Sequence, residues 1–236
     1  MIRGGVELAV VMPVYNEEEI ITQSLNDWAE ELDRLQVDFE IHVYNDGSKD
    51  NTLQVIDQYS AENANVVVHH KANTGHGPTI LLGYRENSNA EWIFQIDSDN
   101  EISTEFFQEF WEKRKNFDFL VGRRRGREGP LSRRLISFAA RMLVRIFYGH
   151  GVDDVNCPYR LMRTSIFKET FSHIPINTFA PNVIVSGIAC KKNYRILEIP
   201  VSYAQRKTGE VSIRRWRLFK AAFKGLWQTI LFRFRM

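Results

Sequence analysis

Trp92-Ile93-Phe94-Gln95-Ile96-Asp97-Ser98-Asp99 is an apolar run of strand length that ends in two carboxylates around one small residue. Where a buried strand opens into a loop, such a pair suits a divalent cation with a nucleotide diphosphate beneath it. Asp and Ser are also ordinary turn residues, so Asp-x-Asp by itself does not separate a cation site from a turn. The segments around it decide.

Upstream, Glu7 to Met12 reads as a strand, and Glu17 to Leu35 as a helix with Ile20, Ile21, Leu25, Trp28, Leu32 and Leu35 near helical spacing. Asp38 to Asn45, Val66 to His69 and Trp92 to Ile96 continue as strands; Asn51 to Asn63 and His76 to Asn89 alternate with them as helices. Strands alternating with helices predict an α/β fold, a mostly parallel sheet covered on both faces. Ligands of such sheets sit outside the carboxyl ends of the strands. The unusual polar clusters all fall there: Pro13-Val14-Tyr15-Asn16-Glu17, Asn45-Asp46-Gly47-Ser48, the Asn73 to Gly77 loop, and Asp97-Ser98-Asp99. Each has a plainer reading. Residues 46–52 supply turn formers and a helix cap, and Asn73-Thr74-Gly75-His76-Gly77 is either a glycine turn or a helix start that offers free N–H groups to phosphate. The spacing of a P-loop is absent, and so is a dinucleotide fingerprint.

The length suits one domain with a full core. Hydrophobic residues at 44% and charged residues at 25% are ordinary for a soluble globular chain. No apolar stretch reaches transmembrane length. The Val6 to Val14 run is broken by Glu7 and Pro13 and followed by three glutamates, unlike a secretory signal. Cys157 and Cys190 match no metal spacing, which agrees with a reducing compartment and a cytoplasmic location. Charge is polarised: residues 1–110 hold 5 Lys and Arg against 21 Asp and Glu, net −16, whereas 111–236 hold 26 against 8, net +18. The second half is the anion-binding half, open to phosphorylated substrates, anionic lipid or nucleic acid.

The series VMPVYNEEEII from Val11, VYNDGSKDNT from Val43, NTGHG from Asn73 and QIDSDNEI from Gln95 resembles the nucleotide-sugar-dependent glycosyltransferases of family 2, which have the Rossmann-like GT-A fold. The resemblance continues through VGRRR from Val121, DVNCPYRLMR from Asp154 and EIPVSYAQRKTGEVS from Glu198, in order along nearly the whole chain. Within the family it is most similar to the branch with dolichyl-phosphate mannose synthase and bacterial polyprenyl-phosphate glycosyltransferases. It implies a GT-A domain over 1–210, with a nucleotide-sugar-binding half (1–110) and an acceptor-binding half (111–210), followed by a C-terminal segment, 211–236.

Carried over by position, the resemblance implies that Pro13, Tyr15, Glu17 and Asp46 hold the nucleoside of a GDP- or UDP-linked sugar. It puts His76 and Asp97-Ser98-Asp99 at the diphosphate, with Asp97 and Asp99 holding Mg²⁺ or Mn²⁺ and Glu101 as a further metal ligand. Family members frequently place Lys where this chain has His76, and two adjacent acids where it has Asn45-Asp46. Asp154 and Arg160 correspond to the catalytic acid and its partner arginine, with Asp153 a competitor for the acid's role. An acid here must act as base if the acceptor is a hydroxyl; a phosphate acceptor is already anionic. Arg123, Arg133, Ser137, Arg206 and Ser212 match positions that cradle an acceptor phosphate, to which guanidinium groups pair by two-point contact.

The last segment spaces Trp216, Phe219, Phe223, Leu226, Trp227, Ile230 and Leu231 at three or four residues, with arginines and lysines interleaved. That is a basic amphipathic helix, which either lies on an anionic membrane surface or packs on the domain's own core. Related enzymes often continue into transmembrane helices; here the expected anchorage is peripheral, on the inner face of the membrane, or supplied by a partner. The leading expectation is an inverting, metal-dependent transfer to polyprenyl phosphate, without nucleic acid as a partner. Family 2 transfer to a glycan or small-molecule hydroxyl is the alternative. A nucleic-acid-binding module lacks any accompanying motif, and a non-catalytic membrane adaptor has no need of the acids that face the diphosphate.

Overall fold

The computed structural model describes residues 5–125, 131–203 and 215–235; in the helices starting at 131 and 215, side chains are described from 135 and over 223–234. Strand β1 (Leu8–Val14) is buried along its whole length. It is followed by α1 (Ile21–Arg34), β2 (Phe39–Asn45), α2 (Thr52–Glu62), β3 (Val66–His70), α3 (His76–Glu86) and β4 (Trp92–Gln95). These elements follow the expected alternation. The first helix starts later than its apolar spacing implies, because residues 17–20 form a turn in which the Ile20 and Ile21 amides both bond the Glu17 carbonyl.

The second half adds α4 (Phe107–Lys113), β5 (Phe119–Arg125), α5 (Leu131–Phe147), β6 (Arg160–Arg163), α6 (Thr164–His173), α7 (Pro181–Lys191), β7 (Ile196–Ser202) and α8 (Arg215–Arg235). The strands form one seven-stranded sheet in the order β3-β2-β1-β4-β6-β5-β7. Only β6 runs antiparallel to its neighbours, so β4 and β5, on either side of it, point the same way. The chain moves outward from β1 through β2 and β3, then returns to β4 on the other side of β1. That reversal opens a crevice beyond the carboxyl ends of β1 and β4.

Pro13 shows how the crevice is made. β1 pairs with β2 as far as Val14 but with β4 only as far as Val11. The Val11 carbonyl bonds the Ile96 amide toward β4, and the Val14 carbonyl bonds the Asp46 amide toward β2. By alternation Pro13 faces β4, where that strand has ended, so its missing N–H costs no ladder bond.

On one face of the sheet Trp28, Phe94, Phe107 and Tyr159 pack with ring centroids 4.8–5.9 Å apart. On the other, α3 lies close to β1: a Cβ at Gly83 would stand 2.4 Å from Val11 Cγ1. Helix α7 is buried from Pro181 through Cys190. Helix α8 packs through Gly225, Thr229 and Phe232, with the Tyr148 hydroxyl donating to the Thr229 carbonyl. Its opposite side leaves Phe223, Trp227, Leu231 and Phe234 exposed. The helix therefore both packs on the domain and presents an apolar face outward; the side chains of Trp216 and Phe219 lie outside the described residues. Both cysteines are free and buried, and burial pushes the Cys157 thiol up to about 12. No helix among the described residues is long and apolar enough to cross a membrane.

Candidate active site

A cleft of about 570 Å³ opens at the carboxyl ends of β1, β2 and β4. Pro13, Tyr15, Glu17, Asp46, His76, Asp97, Ser98 and Asp99 all line it, together with Lys49, Asn73 and Thr79, to which the sequence reading gave no individual role. Its wall is made of two stitched loops. The amides of Asn16, Glu17 and Glu18 donate to Ser48 Oγ (3.0 Å), Thr52 Oγ1 (2.9 Å) and Asp50 Oδ2 (3.3 Å). In return, Asn16 Oδ1 and Glu18 Oε2 accept from the Lys49 and Asn51 amides. Side chains that read as turn formers thus fix one loop against the other.

Asp46 is buried, and its carboxylate shapes the glycine turn: Oδ1 accepts from the Thr74 amide at 2.8 Å and Oδ2 from the Gly75 amide at 2.9 Å. Gly75 has φ +95°, a conformation open to glycine at little cost. The Lys71 ammonium donates to Asp46 and to the Thr74 and Thr79 hydroxyls, so the cation is tied up in holding the turn. Asn45 is buried as well, its Oδ1 accepting from the Ser48 amide at 3.0 Å.

Asp97 is held from behind. Gln95 Nε2 donates to Asp97 Oδ1 at 3.0 Å, Asn182 Nδ2 to Gln95 Oε1 at 2.9 Å, and the Tyr84 hydroxyl to Asn182 Oδ1 at 2.8 Å. His76 Nε2 lies 3.0 Å from the same Asp97 oxygen. Desolvation by the cleft walls opposes charge on both groups; their mutual attraction outweighs it, raising the imidazole pKa and lowering that of Asp97. Arg124 and Arg160 also favour the Asp97 carboxylate. Asp99 Oδ1 accepts from the Glu101 amide at 3.2 Å, and Asn100, at φ +52°, turns the chain between them. Glu101 is thereby carried out of the cleft lining, where its carboxylate takes the Tyr203 hydroxyl.

In the second half of the chain, Arg160 is fully buried and is not part of the cleft lining. Its guanidinium donates to the carbonyls of Val155, Cys157 and Asn182, fixing the 155–157 turn. Asp154 is gripped by Arg124, which the sequence reading passed over in favour of Arg123. Arg123 reaches instead toward Asp153, at 3.7 Å. One oxygen of Glu198 accepts from the amides of both Asp153 and Asp154, at 2.9 and 3.0 Å, and so orients the pair. Ser137 is exposed on α5. The side chain of Arg133, and Arg206 and Ser212 altogether, lie outside the described residues.

A family model described as glycosyl transferase family 2 matches residues 9–171. The chain belongs to glycosyltransferase family 2. It is 28% identical over 94% of its length to a dolichyl-phosphate beta-glucosyltransferase of Trichomonas vaginalis, spanning 71% of that protein. It is 27% identical over 92% of its length to an undecaprenyl-phosphate mannosyltransferase of Micrococcus luteus, spanning 96%. It spans less than two thirds of some others, 62% of an undecaprenyl-phosphate 4-deoxy-4-formamido-L-arabinose transferase of Pseudomonas fluorescens at 26% identity. In fold it is similar to glucosyl-3-phosphoglycerate synthase of Mycobacterium tuberculosis, solved with Mn²⁺, UDP and phosphoglyceric acid. That likeness has a TM-score of 0.68 at 15% identity and covers 97% of this chain and 79% of the other.

For this family 2 glycosyltransferase the donor chemistry of the cleft fits a hard divalent cation. Asp97 is held ionised by its surroundings and shares the lining with Asp99, an all-oxygen pair of the type Mg²⁺ and Mn²⁺ take. Among the described residues no group of three or more His, Cys, Asp and Glu gathers in metal-binding geometry. A cation held by these two carboxylates would take its other ligands from substrate oxygens and water, as is usual where a cation is bound with a substrate phosphate.

Proposed function

We propose that this chain is an inverting, metal-dependent glycosyltransferase that moves a sugar from a nucleotide-diphosphate sugar to a polyprenyl phosphate. One juxtaposition carries the reading. The Asp97 and Asp99 pair beyond β4 and the arginines at the end of β5 share one rim, because β4 and β5 point the same way. A carboxylate pair beside guanidinium groups suits a reaction between a cation-bound diphosphate and an anionic acceptor. The names of the relatives, dolichyl-phosphate and undecaprenyl-phosphate transferases, support the same acceptor class. Residues 1–110 act as the donor half and 111–210 as the acceptor half.

Asp97 and Asp99 would hold Mg²⁺ or Mn²⁺, which supplies Lewis-acid stabilisation of the diphosphate leaving group. Gln95 fixes the orientation of Asp97, and Asn182 and Tyr84 fix Gln95. His76 offers a proton-bearing nitrogen at the same wall. The stitched loops carrying Tyr15 and Glu17 form the nucleoside end of the cleft. Acceptor phosphate entering from the arginine side is already anionic, and attack on the far face of the sugar inverts the anomeric centre. Asp154, with its carboxylate engaged by Arg124, orients the acceptor side and need not remove a proton. The exposed Phe138 and Ile146 of α5 and Phe223, Trp227 and Phe234 of α8 rest on the membrane surface that presents the lipid.

A thermal-shift panel of GDP-, UDP- and dTDP-sugars with and without Mn²⁺ tests the donor side, followed by transfer to polyprenyl phosphate in detergent. One nucleotide series should stabilise the protein only with Mn²⁺, and Asp97→Asn with Asp99→Asn should remove the shift. No shift with any donor would overturn the proposal.

A further inference from the structure

Asp153 stands among three guanidinium groups. Arg145 Nη2 is 2.5 Å from its Oδ1, Arg141 Nη1 3.9 Å from the same oxygen, and Arg123 Nη1 3.7 Å from Oδ2. Arg141 and Arg145 are one turn apart on α5, and Ser137 is one turn earlier on the same face. Arg123 comes from the end of β5, on the rim shared with Asp97. The neighbouring carboxylates are engaged elsewhere: Asp154 with Arg124, and Glu198 with the amides of 153 and 154.

Three cations around one carboxylate exceed what an ion pair requires. A carboxylate presents two oxygens and one charge; a phosphate monoester presents three oxygens and up to two charges, a closer match to three guanidinium forks. The arginine side chains remain 36–45% exposed and Asp153 31%, so an anion can enter from solvent. The same helix exposes Leu135, Phe138 and Ile146, so apolar surface adjoins the cluster. Polar head and apolar flank together describe a phosphate carried on a hydrophobic chain.

We propose that Arg123, Arg141 and Arg145 form a subsite for a lipid-borne phosphate, and that the Asp153 carboxylate occupies the phosphate's place until the ligand displaces it. The choice of ligand rests on the reading above of a lipid-phosphate acceptor; the subsite itself does not. Asp153 is then a competing internal anion that keeps the arginines apart and positioned, and the guanidinium groups that release it close on the incoming phosphate. The acceptor would thus be received one residue along the chain from the Arg124–Asp154 pair, whose side chains turn to the other face of the strand.

The test uses the full chain, with farnesyl phosphate as the soluble probe followed by calorimetry. Phosphatidylcholine vesicles with and without phosphatidylglycerol, followed by sedimentation, supply the second arm. Removing the competitor with Asp153→Asn should tighten farnesyl phosphate about tenfold, and Arg141→Gln with Arg145→Gln should weaken it by about tenfold or more, the scale of one or two charge-assisted contacts. Nucleotide-sugar binding with Mn²⁺ should stay unchanged in both, which shows that the variants are folded. Changes in farnesyl phosphate binding alone assign the subsite to the acceptor; changes in adhesion to phosphatidylglycerol vesicles alone assign it to bilayer headgroups. If Asp153→Asn lowers Tm without tightening either ligand, or the arginine variants bind both as before, the subsite is refuted. Tight farnesyl phosphate binding by a chain that takes no nucleotide sugar would uphold the subsite and reject the transferase reading.

Discussion

Arg124 grips both oxygens of Asp154, Nε to Oδ2 and Nη2 to Oδ1 at 2.8 Å each, and its backbone amide adds a third bond at 3.3 Å. The guanidinium is buried, so this pair is a fixed part of the structure at the end of β5. Such a carboxylate is well placed to orient and poorly placed to accept a proton. With polyprenyl phosphate as acceptor, Asp154→Asn should keep kcat within about tenfold of the parent, whereas loss of a true general base costs about 10²- to 10⁴-fold. Initial rates at saturating donor decide between them, and the larger loss would return the hydroxyl acceptor to first place. Arg124→Ala should be the more damaging change, because it leaves Asp154 without its main partner.

Gln95 joins the core to the cleft. It is fully buried, donates to Asp97 and accepts from Asn182, which accepts from Tyr84. Gln95→Leu should free the Asp97 carboxylate to turn and leave Asn182 short of an acceptor, destabilising the fold by about 1–3 kcal/mol. Mn²⁺-dependent donor binding should weaken about tenfold, in line with losses on removing groups that orient metal ligands. Tyr84→Phe should cost stability with a smaller effect on binding. Equal Mn²⁺ titration midpoints for Gln95→Leu and parent would remove Gln95 from the site.

The first half was legible because its strands are apolar runs or alternate apolar with polar residues, and each polar cluster follows directly on a strand end. The second half was not. Helix α7 is buried at nearly every position and shows no polar stripe, and β6 has only four residues after Pro158. In the run Arg123-Arg124-Arg125, alternation on a strand sends adjacent side chains to opposite faces, so Arg123 meets Asp153 and Arg124 meets Asp154. Composition cannot tell such neighbours apart. The resemblance offered Glu101 as a further metal ligand, yet after the positive φ at Asn100 its carboxylate takes the Tyr203 hydroxyl. The resemblance likewise paired Arg160 with the catalytic acid, and its guanidinium serves three backbone carbonyls.

Gly77, one residue into α3, is where that helix meets the 178–179 segment. A Cβ there would lie 2.2 Å from the Phe179 carbonyl oxygen and 2.5 Å from that of Thr178. Both are backbone atoms, so rotating a side chain brings no relief. Gly77→Ala should cost roughly 1–3 kcal/mol or more through forced displacement of the helix start. His76 moves with it, so donor affinity should fall along with denaturation midpoint. Gly75→Ala adds an atom in open space and strains only the φ +95° backbone. Urea midpoints for the two variants should therefore separate a packing clash from a conformational one.

His42 lies on β2, its Nδ1 3.1 Å from His69 Nε2 and its Nε2 3.2 Å from a Glu40 oxygen. Burial, then the neighbouring His69, lower its pKa to about 4, with Glu86 acting in the opposite sense. A histidine depressed in the folded state contributes stability that is whole above its unfolded value. That contribution is lost as pH falls toward the folded value, because the unfolded chain takes up the proton first. The window runs from about 6.5 down to about 4, and at 1.36 kcal/mol per pH unit the loss amounts to roughly 3 kcal/mol. His69 is lowered too, by burial, and adds to the same slope. Unfolding free energy measured by urea titration at intervals between pH 7 and 4 should fall steeply in the parent and more gently in His42→Gln. Parallel curves would mean that the His42 proton is not coupled to folding.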